Sequence, residues 1–481
     1  MPSFAQEKLA VWTGGRWSRL PEGALTGFNQ DTRALTAGQV FVALKTDKRD
    51  GHDFLGEAQG KGAAAALVAH EVAGSSLPQL VVADPLAAFQ RIAREHRREF
   101  HGTVIGVTGS AGKTSTKDML AVLLGGAPGV YATEGNLNKG AHGDGGIIRV
   151  QDTVLKTEGN LNNHIGVPLT LTKLDPMRHR AAIVEAGINM PGEMTGLAEM
   201  IEPDHSLVTL VGPAHLALLG SLEGVAFEKS RLPAATRRGG LNVFPVACWA
   251  YESFRTLANP LVLVPANEGM VKVTGRTLGY TVLHRPERTE VTLEGGRKFI
   301  FRRVSGGMAQ NAALALALAS ELGIDDATLQ TRLNNWQPSK WRGELQQVGG
   351  AQVYCDFYNA NPASMADAIS AFTSLVRPEL PRLYVLGCME ELGSGSVEYH
   401  RQLGRLILLR PGDALFVIGA QAEAVREGLL ENGNDPAQVT VIEDVAPVRT
   451  RLAGFQGAVF LKASRRYQLE TVLDATLVHA R

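Results

Sequence analysis

Apolar residues occur along the chain in short runs, separated by segments whose apolar positions recur at helical spacing. In the first hundred residues, VFVAL at 40–44 and LVVAD at 80–84 are typical of buried strands. PLAAFQRIAREHRREF at 85–100 has helical spacing, and its proline stands at the start, where a missing N–H is harmless. The pattern predicts a small α/β domain over residues 1–100.

A longer pattern of the same kind begins at residue 103. TVIGV at 103–107 predicts a buried strand, a glycine-rich turn follows, and TSTKDMLAVLL predicts a helix. Strands that alternate with helices favour a parallel sheet covered on both faces, here in a central domain over residues 101–336. The later elements are predicted at AAIVEAG (181–187), SLVTLVG (206–212), LNVFPVA (241–247) and the helix MAQNAALALALASELG (308–323).

The alternation restarts after NNWQPSKWRGE at 334–344, which has the composition of a linker. A third domain, Rossmann-like and doubly wound, is therefore predicted over residues 337–481. Its strands are predicted at VYCDF, RLYVLG, ALFVIG, QVTVIE and AVFLKA. The expected fold class is α/β with three domains.

Composition narrows the class of protein. The 481 residues are 44% apolar and 20% charged, which is typical of soluble globular proteins. Lys plus Arg and Asp plus Glu both number 48, so no basic excess indicates a nucleic-acid polymer as partner. The start MPSFAQEKLAVW is unlike a signal peptide, and no apolar run reaches the ~18 residues of a membrane span. Three widely spaced cysteines predict a reduced, cytoplasmic protein without membrane insertion.

The clearest chemical motif is GVTGSAGKTST at 106–116, between a predicted strand and a predicted helix. Backbone N–H groups of such a loop bind phosphates, while the lysine adds a point charge and the following hydroxyl binds Mg²⁺. Val107 stands where the strict motif has its first glycine, so a glycine turn with a chance lysine is the alternative. The predicted ATP-binding residues of the loop are Thr108, Gly109, Ser110, Ala111, Gly112, Lys113, Thr114 and Ser115.

Two further polar residues follow predicted strands. Glu185 ends AAIVE, and His215 comes just after SLVTLVG. Ligands collect outside the carboxyl ends of parallel strands, so both are expected near Lys113. Taken singly, a glutamate is more often solvated and a histidine more often a satisfied core residue. A carboxylate beside nucleotide phosphates favours a Mg²⁺ site.

Seven segments resemble the Mur ligases in content and order. They are TGSAGKTS, TEGNLNNHIGVPLTL, VEAGINMPGEM, VGPAHLALLGSLEGVAFEKS, DFYNANPASM, LGCMEELG and LKASRRYQLE. YNANPASM and INMPGEM are most similar to the branch that adds D-alanyl-D-alanine to UDP-N-acetylmuramoyl-tripeptide. QDTRALTAGQVFVAL and RDGHDF resemble that branch's uridine-nucleotide-binding domain.

The resemblance implies a monomeric, ATP- and Mg²⁺-dependent amide ligase of cytoplasmic peptidoglycan precursor synthesis. Its small-molecule substrates would be the UDP-linked tripeptide, which is activated as an acyl phosphate, and D-alanyl-D-alanine. A ligase that adds a different amino acid and a non-catalytic nucleotide-binding regulator are the alternatives.

The resemblance also assigns roles around the metal. Thr114 and Glu185 would hold Mg²⁺, and His215 a second ion or the acyl phosphate. Lys229 falls where several Mur ligases carry a carbamylated lysine, and an exposed helix lysine is the alternative reading. Lys113, His215, Lys229 and Arg342 are the expected catalytic residues.

The remaining roles concern ATP and the two substrates. Asn311 would contact adenine, Asp356 the ribose and Arg342 the γ-phosphate, although SKWRGE is an unusual context for that arginine. The dipeptide is expected at Tyr358, Asn359, Asn361 and Ser364. The uridine diphosphate is expected at Thr32 and Arg33, with Asp50–His52 as weaker candidates.

The hexapeptide TEGNLN occurs twice, at 133–138 and at 157–162. Only the second copy continues into the family's NNHIGVPLTL, so Thr157, Asn160, Asn162 and Asn163 are expected to bind the muramoyl substrate. The stretch at about 139–156 would be an inserted loop, since long surface insertions cost little closure entropy. A second departure from the family is Cys388, which stands where the branch usually has aspartate.

Overall fold

The computed structural model of the protein describes residues 2–125, 153–269 and 271–477. Each of the three ranges predicted as a domain contains one β-sheet with helices, so the predicted α/β class is confirmed. The domain boundaries themselves stay a prediction. The first TEGNLN copy and residues 139–152 lie outside the described residues. No helix in the described ranges is long and apolar enough to cross a membrane.

The N-terminal sheet has the strand order β1-β5-β4-β3-β2, with β2 to β5 parallel. Its elements are α1 (Gln6–Thr13), β1 (Arg16–Trp17), β2 (Phe28–Asn29), β3 (Val40–Val42), α2 (Leu55–Gly60), β4 (Ala65–Val68), β5 (Gln79–Val81) and α3 (Pro85–Arg98). Asp84 caps α3 by accepting the N–H groups of Leu86 and Ala87. Buried Arg97 joins α3 to the next domain, because its guanidinium pairs with Asp204 at 2.8 Å.

The central sheet has the order β14-β13-β12-β11-β10-β9-β6-β8-β7, parallel from β7 to β12. Its first elements are β6 (Thr103–Thr108), α4 (Lys113–Gly125), β7 (Val154–Lys156), α5 (Gly166–Leu171), β8 (Ala181–Glu185), α6 (Glu193–Ile201), β9 (His205–Val208), α7 (Leu216–Leu219) and α8 (Leu222–Ala234). The rest are β10 (Asn242–Pro245), α9 (Glu252–Arg255), β11 (Pro260–Pro265), β12 (Arg276–His284), β13 (Arg288–Leu293), β14 (Arg297–Arg302), α10 (Gly306–Glu321) and α11 (Asp326–Asn334).

Two features of this sheet differ from the prediction. Strands β13 and β14 pair antiparallel at one edge, where we expected only parallel strands. At the other edge, Val154–Lys156 pair with β8, so the expected inserted loop is wrong for these residues. The strand forms because Val154 and Leu155 pack against the apolar clusters on the two faces of the sheet.

Helix α10 brings the sheet and the phosphate loop together. Its side chains from Ala309 to Ala319 are almost all buried, as expected of a helix that is apolar all round. Small alanine side chains let α10 pack closely on α4. The packing places Asn311 of α10 directly against Gly112 of the loop.

The C-terminal sheet has the order β15-β16-β20-β17-β18-β19, parallel except for β15. Its elements are β15 (Glu344–Val348), β16 (Ala351–Cys355), α12 (Pro362–Leu375), β17 (Arg382–Gly387), α13 (Ser396–Arg405), β18 (Ala414–Ile418), α14 (Ala422–Glu431), β19 (Val439–Ile442), α15 (Ala446–Leu452), β20 (Ala458–Lys462) and α16 (Glu470–Leu477). The linker before it is held to α4, because the Ser339 hydroxyl donates to Asp118.

Candidate active site

A cavity of about 560 Å³ lies between the central and C-terminal domains, at the carboxyl ends of β6 and β8. The phosphate loop, the second TEGNLN copy and the loop after β16 all contribute to its wall. The predicted site residues that line it are Ser110, Ala111, Gly112, Lys113, Thr114, Ser115, Asn160, Asn162, Asn163, Glu185, His215, Asn311, Arg342, Asp356, Tyr358, Asn359, Asn361 and Ser364. The predicted residues outside the lining are Thr108, Gly109, Thr157, Lys229, Thr32 and Arg33.

The phosphate loop is shaped by its contact with the strand end after β9. Gly109 has φ +147° and lies so close to Thr209 that a Cβ atom would be 1.9 Å from the Thr209 hydroxyl oxygen. That hydroxyl donates to the Ala111 carbonyl oxygen. The Ser110 hydroxyl donates to the Gly212 carbonyl oxygen at 2.9 Å. Sequence reasoning missed Thr209, whose signal was a hydroxyl residue inside the apolar run SLVTLVG.

Lys113 opens α4 and turns back onto its own loop. Its ammonium donates to the Gly109 carbonyl oxygen at 2.8 Å. Burial lowers the pKa of Lys113, the nearby Glu185 carboxylate opposes the shift, and Arg342 adds to it. Burial therefore disfavours the charge of this ammonium, and an anionic ligand at the cavity wall would stabilise it.

Glu185 has the surroundings of a metal ligand. The side chain is 1% exposed, and its Oε1 atom accepts from the Asn162 amide at 2.7 Å. Its Oε2 atom is buried and accepts no hydrogen bond from the described residues. Thr114, whose hydroxyl accepts from Arg342 at 3.0 Å, lines the same cavity. A buried carboxylate oxygen with free acceptor capacity beside a hydroxyl fits Mg²⁺.

Within the described ranges, no three His, Cys, Asp or Glu side chains gather into a complete cage. A Mg²⁺ ion needs only one or two carboxylates from a protein, because it keeps several waters and takes phosphate oxygens from its substrate.

A buried lysine ties the second TEGNLN copy to this carboxylate. Lys117 is 1% exposed, and its ammonium donates to the Thr157 carbonyl oxygen at 2.8 Å and the Gly159 carbonyl oxygen at 3.4 Å. The same ammonium lies 3.7 Å from Glu185 Oε2. The Thr157 hydroxyl accepts the Glu185 N–H at 2.9 Å, so Thr157 acts behind the cavity wall. Lys117 was not predicted, although it stands one helical turn after Lys113 on the same face of α4.

His215 and Lys229 lie close enough for the charge of Lys229 to act on the His215 ring. His215 has φ +54° and directly precedes α7. Burial lowers the pKa of His215, the Glu391 carboxylate opposes the shift, and the charge of Lys229 adds to it. Lys229 is 1% exposed, which rules out the alternative of a surface lysine. Burial and the charge of Lys113 hold the pKa of Lys229 well below its ordinary range.

The C-terminal domain contacts the phosphate loop directly. The Asn361 side chain caps α12 through Ser364, and its Nδ2 group donates to the Ser110 carbonyl oxygen at 3.1 Å. Each of these two predicted dipeptide residues therefore bonds to the backbone of the other, and the Asn361 side chain also bonds to the loop. Arg342 lies 3.9 Å from the centre of the Tyr358 ring, a cation–π contact that fixes the guanidinium beside Thr114.

Behind this contact lies a buried ion pair. The Lys462 ammonium is 2.7 Å from the Asp356 carboxylate and also donates to the Asn359 carbonyl oxygen at 3.1 Å. Lys462 lines the cavity and was missed, although it belongs to the quoted segment LKASRRYQLE. Cys388 lies outside the cavity lining, and burial raises the pKa of its thiol to about 11, so the thiol is unreactive.

The residues proposed for the uridine diphosphate lie in the N-terminal domain. The Thr32 hydroxyl donates to Glu57 at 2.7 Å, and Arg33 pairs with Asp31 while its side chain stays 85% exposed. Both ring nitrogens of His52 have partners, because one contacts Asp50 and the other accepts the Ala69 N–H at 2.9 Å. The roles of Thr32 and Arg33 stay predictions.

Gly112 provides a test of the loop geometry. Gly112→Ala should raise the KM for ATP about tenfold or more, a loss of about 1.4 kcal/mol, because φ is +80° and the new Cβ would lie 2.3 Å from the Asn311 amide. Gly74→Ala is the matched control, since Gly74 has φ +81° with nothing within 4 Å. Steady-state kinetics and melting temperatures of both variants separate the steric effect from backbone strain. Equal KM values for ATP in Gly112→Ala and Gly74→Ala would contradict the steric explanation.

Comparison with known proteins agrees with this architecture. Residues 107–269 match the Mur ligase middle domain, and residues 341–465 match the glutamate ligase domain of Mur ligases. The UDP-N-acetylmuramoyl-tripeptide–D-alanyl-D-alanine ligase of Bacillus subtilis (strain 168) is 30% identical over 458 residues, which cover 93% of this chain and 92% of that protein. The chain belongs to the Mur ligase family.

Other members of the Mur ligase family also resemble this chain in sequence and fold. The enzyme of the same name from Escherichia coli (strain K12) is 31% identical over 83% of each chain. A MurF structure from Acinetobacter baumannii shares the fold, with a TM-score of 0.82 over 99% of both chains at 24% identity. The MurF ligase of Thermotoga maritima in complex with ADP is 26% identical, with a TM-score of 0.74 over 94% of this chain and 96% of that one.

Proposed function

We propose that this Mur ligase joins D-alanyl-D-alanine to UDP-N-acetylmuramoyl-tripeptide, using ATP and passing through an acyl phosphate. One observation carries the proposal: the phosphate loop, the buried Glu185 carboxylate and the second TEGNLN copy line a single cavity. ATP on the loop and a substrate carboxylate on the asparagine-rich wall would meet there. The relatives of 30% and 31% identity carry the name of this activity.

The first step requires two anions to react. An oxygen of the substrate carboxylate forms a bond to the γ-phosphorus, the bond from that phosphorus to the β–γ bridging oxygen breaks, and ADP leaves. Lys113 at the start of α4 and Arg342 just before β15 would offset the repulsion, since both line the cavity. Mg²⁺ held by Thr114 and Glu185 would draw charge from the phosphate oxygens.

The second step requires the exclusion of water. The dipeptide amine attacks the acyl carbon, the C–O bond to phosphate breaks, and the nitrogen loses a proton as the amide forms. An acyl phosphate also reacts with water, so closure of the cavity protects it. Asn361 closes one side by bonding to the Ser110 carbonyl oxygen.

Asn311 is proposed as the adenine contact. Its Oδ1 atom is buried beside the loop and accepts no hydrogen bond from the described residues. An amide oxygen in this state can accept from the exocyclic amine of adenine, which would satisfy it. Asp356 faces the same cavity, and we propose the ribose as its partner.

Lys229 is proposed to be carbamylated. A neutral amine adds CO₂ to give a carbamate and a proton, and the lowered pKa of Lys229 favours the neutral amine. The carbamate is negative, so it would replace the repulsion from Lys113 by attraction. Lys229→Met should lower kcat about 100-fold or more, with partial rescue by acetate. A carbamate carbonyl signal in the wild-type enzyme under ¹³CO₂, absent from the variant, checks the assignment; equal spectra would refute it.

The decisive experiment measures phosphate release from ATP with UDP-N-acetylmuramoyl-tripeptide, with and without D-alanyl-D-alanine. Single amino acids are tested in parallel as acceptors, and the nucleotide product is weighed by mass spectrometry. Release that needs both substrates, with the mass gain of the dipeptide, is the expected result. Release with a single amino acid would instead identify another Mur-type ligase. ATP binding without product would indicate a nucleotide-binding regulator.

A further inference from the structure

The loop after β17 reaches across from the C-terminal domain to α7 of the central domain. Within it, Glu391 has φ +63° and Gly393 has φ +64°, so the chain turns sharply at both residues. The Glu391 carbonyl oxygen accepts the Ala217 N–H at 3.1 Å. Gly393 packs so closely on Ala217 that a Cβ atom would lie 3.2 Å from its backbone. The loop is therefore shaped to fit this helix.

The side chain of Glu391 makes a second contact with the same region. Its carboxylate contacts Nδ1 of His215, the residue that immediately precedes α7. Because Nδ1 is bound, the tautomer with its proton on Nδ1 is favoured, and Nε2 remains as the free ligand atom. Histidines that bind metals usually donate their other N–H to a carboxylate, which fixes the ring and raises its basicity. The His215–Glu391 pair has this arrangement across a domain boundary.

The neighbouring glutamate points elsewhere. The Glu390 carboxylate accepts from the Tyr467 hydroxyl at 3.0 Å and lies 3.4 Å from Arg466. Both partners belong to the C-terminal domain. The two consecutive glutamates therefore contact different domains, and only Glu391 contacts a residue of the cavity lining, His215. This gives the chain its own matched control.

We propose that Glu391 is a positioning residue for the ligation reaction: it orients the His215 ring from the opposite domain so that Nε2 faces the cavity. The inference rests on the proposed function, because it assigns His215 to the phosphate or metal side of that reaction. Glu391 touches no reacting atom itself. Glu391 contacts His215 only when the loop after β17 lies on α7. Docking of the C-terminal domain therefore orients His215 at the same time.

The test compares Glu391→Ala, Glu391→Gln and the control Glu390→Gln. We expect Glu391→Ala to lower kcat about 10- to 100-fold and to weaken Mn²⁺ binding in the presence of ADP by a similar factor. The KM for ATP should change less than threefold, since the phosphate loop is untouched. Glu391→Gln should recover part of the loss because its amide oxygen still accepts from Nδ1. Glu390→Gln should behave as the wild-type enzyme.

Mn²⁺ binding is measured by electron paramagnetic resonance on the full chain with ADP, and folding by the melting temperature. Equal Mn²⁺ affinity and equal kcat in Glu391→Ala and Glu390→Gln would overturn the inference. So would an equal loss in both variants, since that would mark general damage to the loop. If the wild-type enzyme ligates no dipeptide, the proposed function fails, while the Mn²⁺ comparison still tests Glu391 independently.

Discussion

Lys113→Met should lower the rate of ATP-dependent phosphate release about 100- to 1,000-fold while leaving the melting temperature close to that of the wild-type enzyme. The rate falls because no other lysine lies in the turn of the loop, where charge develops on the transferred phosphoryl group. Burial lowers the pKa of Lys113, which means that the folded state disfavours the charged form of this lysine. Removing the charge should therefore not destabilise the fold. The wild type should therefore gain stability relative to the variant as the pH rises from the lowered pKa toward the ordinary lysine value.

Phosphate release and differential scanning fluorimetry over a pH series measure both parts of this expectation. Lys61→Met, at the exposed end of α2, serves as the control for loss of a lysine charge. Activity within tenfold of wild type in Lys113→Met would show that the phosphate loop binds its ligand without the lysine. A large drop in melting temperature would show that the charge is structural.

Lys117→Met should have the opposite profile, with a loss of about 3–5 kcal/mol in the free energy of unfolding. The substitution removes the ammonium that lies 3.7 Å from the buried Glu185 carboxylate and donates to the Thr157 and Gly159 carbonyl oxygens. Because these groups hold the second TEGNLN copy, the KM for the UDP-linked tripeptide should also rise. The two lysines stand four residues apart on α4, so the same substitution separates a catalytic charge from a structural one.

Urea unfolding and tripeptide kinetics check this second expectation. Lys117→Arg provides a further comparison, since it keeps the charge but must fit a larger head group into a buried site. An unfolding midpoint equal to that of wild type would mean that Glu185 is stabilised from elsewhere. A loss of stability with an unchanged KM for the tripeptide would mean that Lys117 stabilises the fold but does not affect tripeptide binding.

Local sequence patterns were enough to predict the phosphate loop and the strand end at Glu185. A buried strand, two glycines and a helix specify the loop through backbone conformation, and β6 and α4 form as expected. Because β6 and β8 are parallel neighbours, their carboxyl ends lie at the same edge of the sheet, which places the end of β8 beside the loop. These inferences needed only short-range patterns and one rule of topology.

Contacts between distant residues could not be predicted in this way. His215 and Glu391 are separated by 176 positions, and no local pattern links a histidine before α7 to a glutamate after β17. Lys117 looks like an ordinary helix lysine until the second TEGNLN copy folds over it. Strands β13 and β14 were missed because their apolar residues form no long run: Thr292 separates Val291 from Leu293, and the apolar run at 299–301 has only three residues.

The position of β7 limits how the doubled hexapeptide can be shortened by protein engineering. A deletion from Thr133 to Lys156 would leave one intact TEGNLN, but it would also remove the outermost strand of the central sheet. The backbone of β8 from Ala181 to Ile183 would then become an open edge, and open edges pair with other chains. A shortened enzyme that stays monodisperse must therefore keep the residues from Thr153 onward. The Thr153 carbonyl oxygen also accepts the Arg180 N–H at 2.7 Å.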